Sequence, residues 1–263
     1  MKRFLFLLPI LFVLEILSSS RKLRPGVSFC NVGQGDAAVI ITDGGQVVLS
    51  DCGPDGQVML CLGRRLRFWR KKIDAIIISH PHSDHFAGCL QVLKHYQVGK
   101  IFLGLGDVPD GGYYQFLAAA KDSRADIVYV DNNKSLHFSS HCHLGFLLPS
   151  YRGDDMNEYS LGFRLDCLGT SLLSLGDLGP IGEKELLSGN HDLSVNIFKV
   201  SHHGSASSNL SEFLMAVCPG LAVISVGAGN SYGHPAADAL FRLRASGAII
   251  WRTDQQGGLN IFF

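Results

Sequence analysis

The sequence predicts one pseudo-symmetric α/β domain, and three observations predict it. Short β-branched apolar runs alternate with helical patterns through most of the chain. At 263 residues, 46% hydrophobic and 17% charged, the chain can bury a sizeable core and is not disordered. The layout also repeats. A strand ends in Leu49-Ser50-Asp51-Cys52-Gly53, a helix follows, and the next strand ends in Ser79-His80. Later a strand ends in Leu175-Gly176-Asp177-Leu178-Gly179, a helix follows, and the next strand ends in Ser201-His202. From Asp to His the separations are 29 residues (51 to 80) and 25 residues (177 to 202). Two such halves bring Asp51, His80, Asp177 and His202 to a shared edge between two sheets. The repeat makes His202, rather than His203, the counterpart of His80.

Residues 1–24 form a separate segment ahead of a domain spanning 25–263. Met1-Lys2-Arg3 precede Phe4–Leu17, apolar except for Pro9 and Glu15. That run is shorter than the about 20 residues of a comfortable membrane span. It suits the apolar region of a signal peptide, with Ser18-Ser19-Ser20 as a small-residue cleavage zone. Arg21, Lys22 and Arg24 fit cleavage poorly, so an uncleaved anchor or the remnant of a longer membrane segment are the alternatives. The export readings place the domain beyond the cytoplasmic membrane, with a cytoplasmic location as the alternative.

In chain order, Gly26–Asn31 and Ala37–Thr42 read as strands around the turn Val32-Gly33-Gln34-Gly35-Asp36. Gly44-Gly45 closes a hairpin into a strand at Gln46–Ser50. Gln57–Lys72 has helical spacing, with Leu62, Leu66 and Trp69 inward. Its other face carries Arg64, Arg65, Arg67, Arg70, Lys71 and Lys72, the one dense basic run in the chain. That run is a solvated face or a phosphate-steering surface, with Arg64, Arg65 and Arg67 as the steering candidates. Ile73–Ile78 is a buried strand, followed by a helix to about Gln97, a strand at Lys100–Leu103, a helix at Tyr113–Lys121 and a strand at Ile127–Val130. Asn132–His143 reads as a polar loop; His141 and His143 lack carboxylates and a preceding apolar strand, which argues against a second metal site. Strands at Ser160–Asp166, Ser171–Leu175, Val195–Val200, Leu221–Val226, Ala248–Arg252 and Gly258–Phe263 complete the pattern, with helices near 182–188, 212–217 and 236–245. The seven cysteines are scattered without a C-x-x-C pair and read as small buried hydrophobes rather than a disulfide framework.

The chemistry concentrates after Ile78. Six residues deliver His80, His82, Asp84 and His85 at the mouth of a buried strand. Alternation puts His80 and His82 on one side of the chain. Imidazoles and a carboxylate suit Zn²⁺ or its borderline neighbours. Lys and Arg together balance Asp and Glu at 23 each, so no global basic field advertises nucleic acid.

The motif set resembles the metallo-β-lactamase fold superfamily, and within it the ComEC-like hydrolase domain of competence proteins. The matching pieces are Asn31-Val32-Gly33-Gln34-Gly35-Asp36-Ala37, the tract SHPHSDHFAG at 79–88, and Asn157-Glu158-Tyr159-Ser160-Leu161. Leu175-Gly176-Asp177, KVSHHGS at 199–205, Ser225-Val226-Gly227 and Asn230-Ser231-Tyr232-Gly233-His234-Pro235 follow in the family's order. The resemblance implies a four-layer αββα sandwich with two divalent metals, Zn²⁺ or Mn²⁺, at one edge. His80 and His82 would hold one metal and Asp84 and His85 the other, with Asp177 bridging and a histidine of the 202–203 pair, His202 by position, completing the second site. Asp51 would support a ligand histidine or its loop. Where many members carry a further metal-binding His, this chain offers Asn157 or Ser160, which shifts the expected metals towards Mn²⁺.

Two metals about 3.5–4 Å apart suit in-line attack of water on phosphorus. His203 or His234 would protonate the leaving oxygen or bind phosphate, and Asp84 would be indispensable. The resemblance thus implies a metal-dependent phosphodiesterase acting on DNA, single-stranded by expectation, beside a partner membrane channel. The alternatives are a small-molecule ester, lactone, thioester or phosphoester hydrolase, and a non-catalytic DNA-binding module. The specific motifs lie outside the β-lactamase branch proper.

Overall fold

The computed structural model describes residues 23–104, 111–131, 135–150, 155–189 and 191–263. The expected signal- or anchor-like segment therefore lies outside the described residues, apart from Leu23 and Arg24. The first sheet uses β1 (Gly26–Phe29), β2 (Ala38–Ile41), β3 (Val47–Ser50), β4 (Lys72–Ile78), β5 (Gln97–Leu103), β6 (Asp126–Tyr129) and β14 (Leu259–Phe262) from the chain end. Its order is β14-β1-β2-β3-β4-β5-β6. The second sheet uses β7 (Ser135–His137), β8 (Cys142–Leu147), β9 (Gly162–Cys167), β10 (Thr170–Ser174), β11 (Ile197–Lys199), β12 (Leu221–Ile224) and β13 (Ile249–Arg252), in the order β13-β12-β11-β10-β9-β8-β7.

The repeat is visible in strand polarity. β1, β2 and β3 are antiparallel neighbours, and β3 then runs parallel to β4, β5 and β6. Likewise β8, β9 and β10 are antiparallel, and β10 runs parallel to β11, β12 and β13. Parallel neighbours need crossovers, and the helical patterns supply them. Helices α1 (Val58–Arg65), α2 (Ser83–Phe86), α3 (Cys89–His95) and α4 (Gly111–Asp122) cover the first sheet. The second is covered by α5 (Pro180–Ser188), α6 (Ser211–Val217) and α7 (Ala237–Ala245), and α8 (Thr253–Gln256) links β13 to β14.

Strand alternation sorts each apolar run into two cores. In β4, Ile76 and Ile78 join the helix-side core with Leu62, Phe86 and Phe116, while Ala75 and Ile77 join the core between the sheets. In β10, Leu172 faces the other sheet, and Leu173 meets Phe198 and Phe213 under the second helical layer. Each fully buried Ile or Leu contributes about 1.5–3 kcal/mol. The result is the four-layer αββα sandwich.

Four sequence expectations are corrected. The helix expected over 57–72 ends at Arg65, where Leu66 turns extended at φ −99° and ψ 149°. Continuing it would stack like charges at i, i+3 and i+4 from Arg64 to Lys71, which is unfavourable. The helix expected from the histidine motif to Gln97 is two short helices around Gly88. A Cβ at Gly88 would collide with the Cys52 and Asp55 carbonyls, and Gly88 N donates to Gly53 O at 2.9 Å. The loop expected at 132–143 contains β7 and the start of β8, with His137 facing His143 in antiparallel register.

The cysteines are also corrected. Cys30–Cys61, Cys52–Cys89 and Cys142–Cys167 are disulfides, and Cys218 is free. The first two tie the strand-end loops after β1 and β3 to α1 and α3. Cys142 and Cys167 are cross-strand partners of β8 and β9. Sequence spacing cannot display pairings that tertiary packing creates.

Candidate metal centre

The C-terminal ends of β3, β4, β10 and β11 meet along one edge of the sandwich. Asp51 follows β3 in a left-handed conformation, φ 52°. Its Oδ1 accepts the Ser79 N–H at 2.8 Å and its Oδ2 accepts the Ser79 hydroxyl at 2.9 Å. The same Oδ2 lies 3.0 Å from His85 Nδ1. Asp51 thus fixes both the end of β4 and the His85 ring. From the second half, Gly176 turns at φ 57° against Ser79 and Ser160, which delivers Asp177 to the same edge.

After β11 the chain makes two consecutive left-handed residues, His202 (φ 51°) and His203 (φ 52°). Such strain in non-glycine residues concentrates at functional sites. Here it turns the chain so that His203, and not the residue matched to His80 by the repeat, faces the cluster. His203 turns inward: its Nε2 lies 3.3 Å from Asp84 Oδ2 and 3.4 Å from Asp177 Oδ2. His202 stays at the rim, 27% exposed, with Nε2 3.8 Å from Asp177 Oδ2.

Asp84, His85, Asp177 and His203 offer four ligand atoms within 4.8 Å of one another. His85 Nε2 is 3.3 Å from Asp177 Oδ1 and 3.8 Å from Asp84 Oδ2. The tautomers are fixed from behind. His203 Nδ1–H has the Ser225 carbonyl as acceptor at 2.9 Å, and His85 Nδ1–H has Asp51. Both Nε2 lone pairs then point at carboxylates. Among the described residues, both Nε2 atoms and Asp177 Oδ1 are buried without a hydrogen-bond partner. Such an arrangement demands positive charge, a proton on each ring or a cation between the groups, and the donor set fits a divalent metal.

The field agrees. Burial opposes charge on both rings, yet Asp177 and Asp51 raise His85, and Asp177 and Asp36 raise His203, well above the usual imidazole range. Asp84 is held at about 2, against burial, by the His203 contact and the charge of His85. Burial and then His85 push His80 well below the ordinary value. His80 Nε2 lies 2.9 Å from His82 Nδ1, and its ring centroid is 4.2 Å from that of His85, so the HxH pair adjoins the cluster.

A cavity of about 490 Å³ opens onto this edge. His82, Asp84, Asn157, Asp177, His202, His203 and His234 line it, with Gln34, Met156 and Tyr232. Tyr232 is 70% exposed and stacks on His234 at 5.9 Å and 18°. Among the described residues, Asn157 Oδ1 and Ser160 Oγ are buried without hydrogen-bond partners. Ser160 is not part of the cavity wall.

Residues 30–227 match the metallo-beta-lactamase superfamily. The chain belongs to that family. Among relatives of this superfamily member, ComE operon protein 3 of Bacillus subtilis is 29% identical over 271 residues, covering 95% of this chain and 34% of the relative. Competence protein ComA of Neisseria gonorrhoeae is 33% identical over 198 residues, covering 72% and 25%. The superfamily domain thus spans about a third or less of these relatives. Among solved structures, a diphosphatase from the PhnP family aligns at TM-score 0.55 and 15% identity, covering 89% of this chain and 97% of the other. Zinc-bound PqqB from Methylobacterium extorquens aligns at 0.57 and 13%, covering 88% of each. These two show the fold.

The steering candidates lie elsewhere. Arg64, Arg65 and Arg67 do not line the cavity at the metal edge; Arg64 and Arg65 line a separate one of about 260 Å³ with Asn31 and Asn260. Arg67 precedes Lys72, the first residue of β4, whose seven residues rise about 3.3 Å each away from that end before the histidines begin. Two central residues escaped the sequence reading. Asp36 lies beside His203 Nδ1 at 3.4 Å and forms a buried ion pair with Lys199. Lys199 was legible as a charge inside an otherwise apolar strand.

Proposed function

We propose that this protein is a metal-dependent phosphodiesterase acting on single-stranded DNA. The observation that carries the reading is the convergence of Asp84, His85, Asp177 and His203, with unpartnered Nε2 atoms, on an open cavity. Relatives named for competence support DNA as the substrate. Asp84, His85, Asp177 and His203 would hold one divalent ion, and His80 and His82, with Asp177 shared, a second. Zn²⁺ and Mn²⁺ both suit these donors. A bound ion supplies Lewis-acid polarisation of a phosphoryl oxygen and a lower pKa for the attacking water.

The remaining steps belong to the chain. Asp51 and Ser225 hold the Nδ1 protons of His85 and His203. His202 and His234, with ring centroids 5.7 Å apart, line the cavity where a leaving oxygen needs a proton. Burial lowers both rings below the ordinary imidazole value, which favours the neutral form, so each would take up a proton before it could pass one to the leaving oxygen. Tyr232 offers an exposed aromatic face at the cavity mouth, which suits a nucleobase.

A second reading, a small phosphoester hydrolase, is favoured by one feature: among the described residues no Lys or Arg lines the cavity. The three disulfides support an oxidising compartment outside the cytoplasm. Residues 4–17 would associate with the membrane, beside a partner channel.

The test incubates metal-stripped protein with labelled single-stranded DNA and Mn²⁺ or Zn²⁺, beside His82→Ala and Asp84→Ala. Cleavage by wild type alone supports the nuclease. Turnover of small phosphoesters without DNA cleavage selects the second reading.

A further inference from the structure

We propose that the end of the sandwich opposite the metal edge is a docking surface for an anionic phospholipid bilayer. Strand polarity defines this end. β1 runs antiparallel to β2 and β2 to β3, so β1 is parallel to β3 and β4. Gly26 and Lys72, their first residues, therefore lie far from the edge where His80 and Asp177 emerge. Gly26 pairs with Phe262, which puts the end of β14 there too. The stretch 66–71 between α1 and β4 completes the surface.

Its composition is that of an interfacial patch. Phe68 is 75% exposed, Phe262 51% and Trp69 40%. Cations interleave with them: Arg24 and Arg65 lie over the Phe262 ring at 5.5 and 5.0 Å, Arg67 over Trp69 at 5.1 Å, and Lys71 over Tyr96 at 5.8 Å. Asp74 is occupied by Arg70 and Lys72 at 3.1 Å each. Among the described residues, none of Arg24, Arg65, Arg67 and Lys71 has a carboxylate partner. Aromatic rings with unpaired cations favour the headgroup region, where rings bury shallowly and each cation meets lipid phosphate.

Chain geometry points to the same occupant. The apolar stretch 4–17 joins the described residues at Leu23, and Arg65 donates to the Arg24 carbonyl at 3.1 Å. The start of the described residues therefore lies at this patch. β4 alone spans about 20 Å between Lys72 and the motif that begins at His80. A docked domain would hold its cavity facing away from the bilayer, into aqueous space. The basic run thus anchors the protein and does not steer substrate.

The test uses the full chain with Trp251→Phe, which leaves Trp69 as the sole tryptophan. Its emission is read with vesicles of phosphatidylglycerol mixed with phosphatidylcholine, and of phosphatidylcholine alone. Docking predicts a blue shift and quenching by brominated acyl chains on the anionic vesicles. Arg67→Gln and Lys71→Gln should each weaken the anionic preference about fivefold, and Phe68→Ser should reduce the quenching. Flotation with vesicles while Trp69 stays unshifted would overturn the proposal. So would a blue shift already present without lipid, which would mean that residues 4–17 cover the patch. A shift produced by single-stranded DNA and not by vesicles would overturn it in favour of a nucleic-acid surface.

Discussion

Lys199 Nζ and Asp36 Oδ2 form a buried ion pair between residues 163 apart in sequence, joining β11 of the second sheet to the turn before β2 of the first. The pair stands directly behind the metal edge, because Asp36 also faces His203 Nδ1 at 3.4 Å and His85 Nδ1 at 3.9 Å. Burial disfavours charge on Asp36, yet Lys199 and His203 hold it at about 2. Lys199→Met leaves that carboxylate without its counter-charge. Removing one partner of a buried pair costs about 3–5 kcal/mol. Urea unfolding should show that loss, and Asp36→Asn combined with Lys199→Met should recover part of it. Additive losses in the double variant would mean that the two groups do not act as a pair.

The histidine pair separates two ligand assignments. His203 is buried within the cluster, and His202 is at its rim. His203→Ala should lose bound metal on dialysis, whereas His202→Ala should retain it. Asp51→Ala leaves every proposed ligand in place but frees the His85 ring, so metal affinity should fall about 10–100-fold. Chelator competition measures all three without reference to turnover. Retention of metal by His203→Ala with loss in His202→Ala would restore the assignment that the repeat suggests.

These two cases mark what the sequence could carry. The HxHxDH motif and the repeated strand–Asp–helix–strand–His layout were legible, because each rests on local pattern: buried β-branched runs, helical spacing and clustered ligands; the αββα layering was legible only through the family resemblance. The inward turn of His203 was not, because the repeat matches positions along the chain and carries no sign of the two left-handed residues after β11. The Asp36–Lys199 pair joins distant segments, and no local pattern encodes a partner. The end of α1 was misplaced because apolar spacing at Leu62, Leu66 and Trp69 fits a longer helix, while charge repulsion stops it at Arg65.

The disulfides make a chemical prediction. Denatured but unreduced protein should titrate one thiol, Cys218, rising to seven on reduction. The bridged separations are 31, 37 and 25 residues, loops for which a crosslink contributes about 3–4 kcal/mol by restricting the unfolded chain. Cys142→Ala with Cys167→Ala should therefore lower the thermal midpoint while leaving metal affinity unchanged, since that bridge lies on β8 and β9. Seven titratable thiols in protein matured under oxidising conditions would refute the pairing.

Glu183, on α5 and outside the cavity lining, should impose a pH dependence on stability. Burial pushes its carboxyl up from 4.5 to about 7, even though it accepts the Leu210 and Asn209 N–H groups at 2.9 and 2.6 Å and faces Arg242. Between those two values the folded state keeps a proton that the unfolded chain has released. Stability attributable to this group is therefore full below about pH 4.5 and declines as pH rises to about 7, by up to about 3 kcal/mol. Glu183→Gln cannot ionise, so the slope should vanish in the variant. Urea midpoints for both proteins at about pH 5 and pH 8 give the comparison: the wild type should lose ground to the variant across that interval. Parallel pH profiles would show instead that the two N–H bonds and Arg242 keep Glu183 ionised throughout.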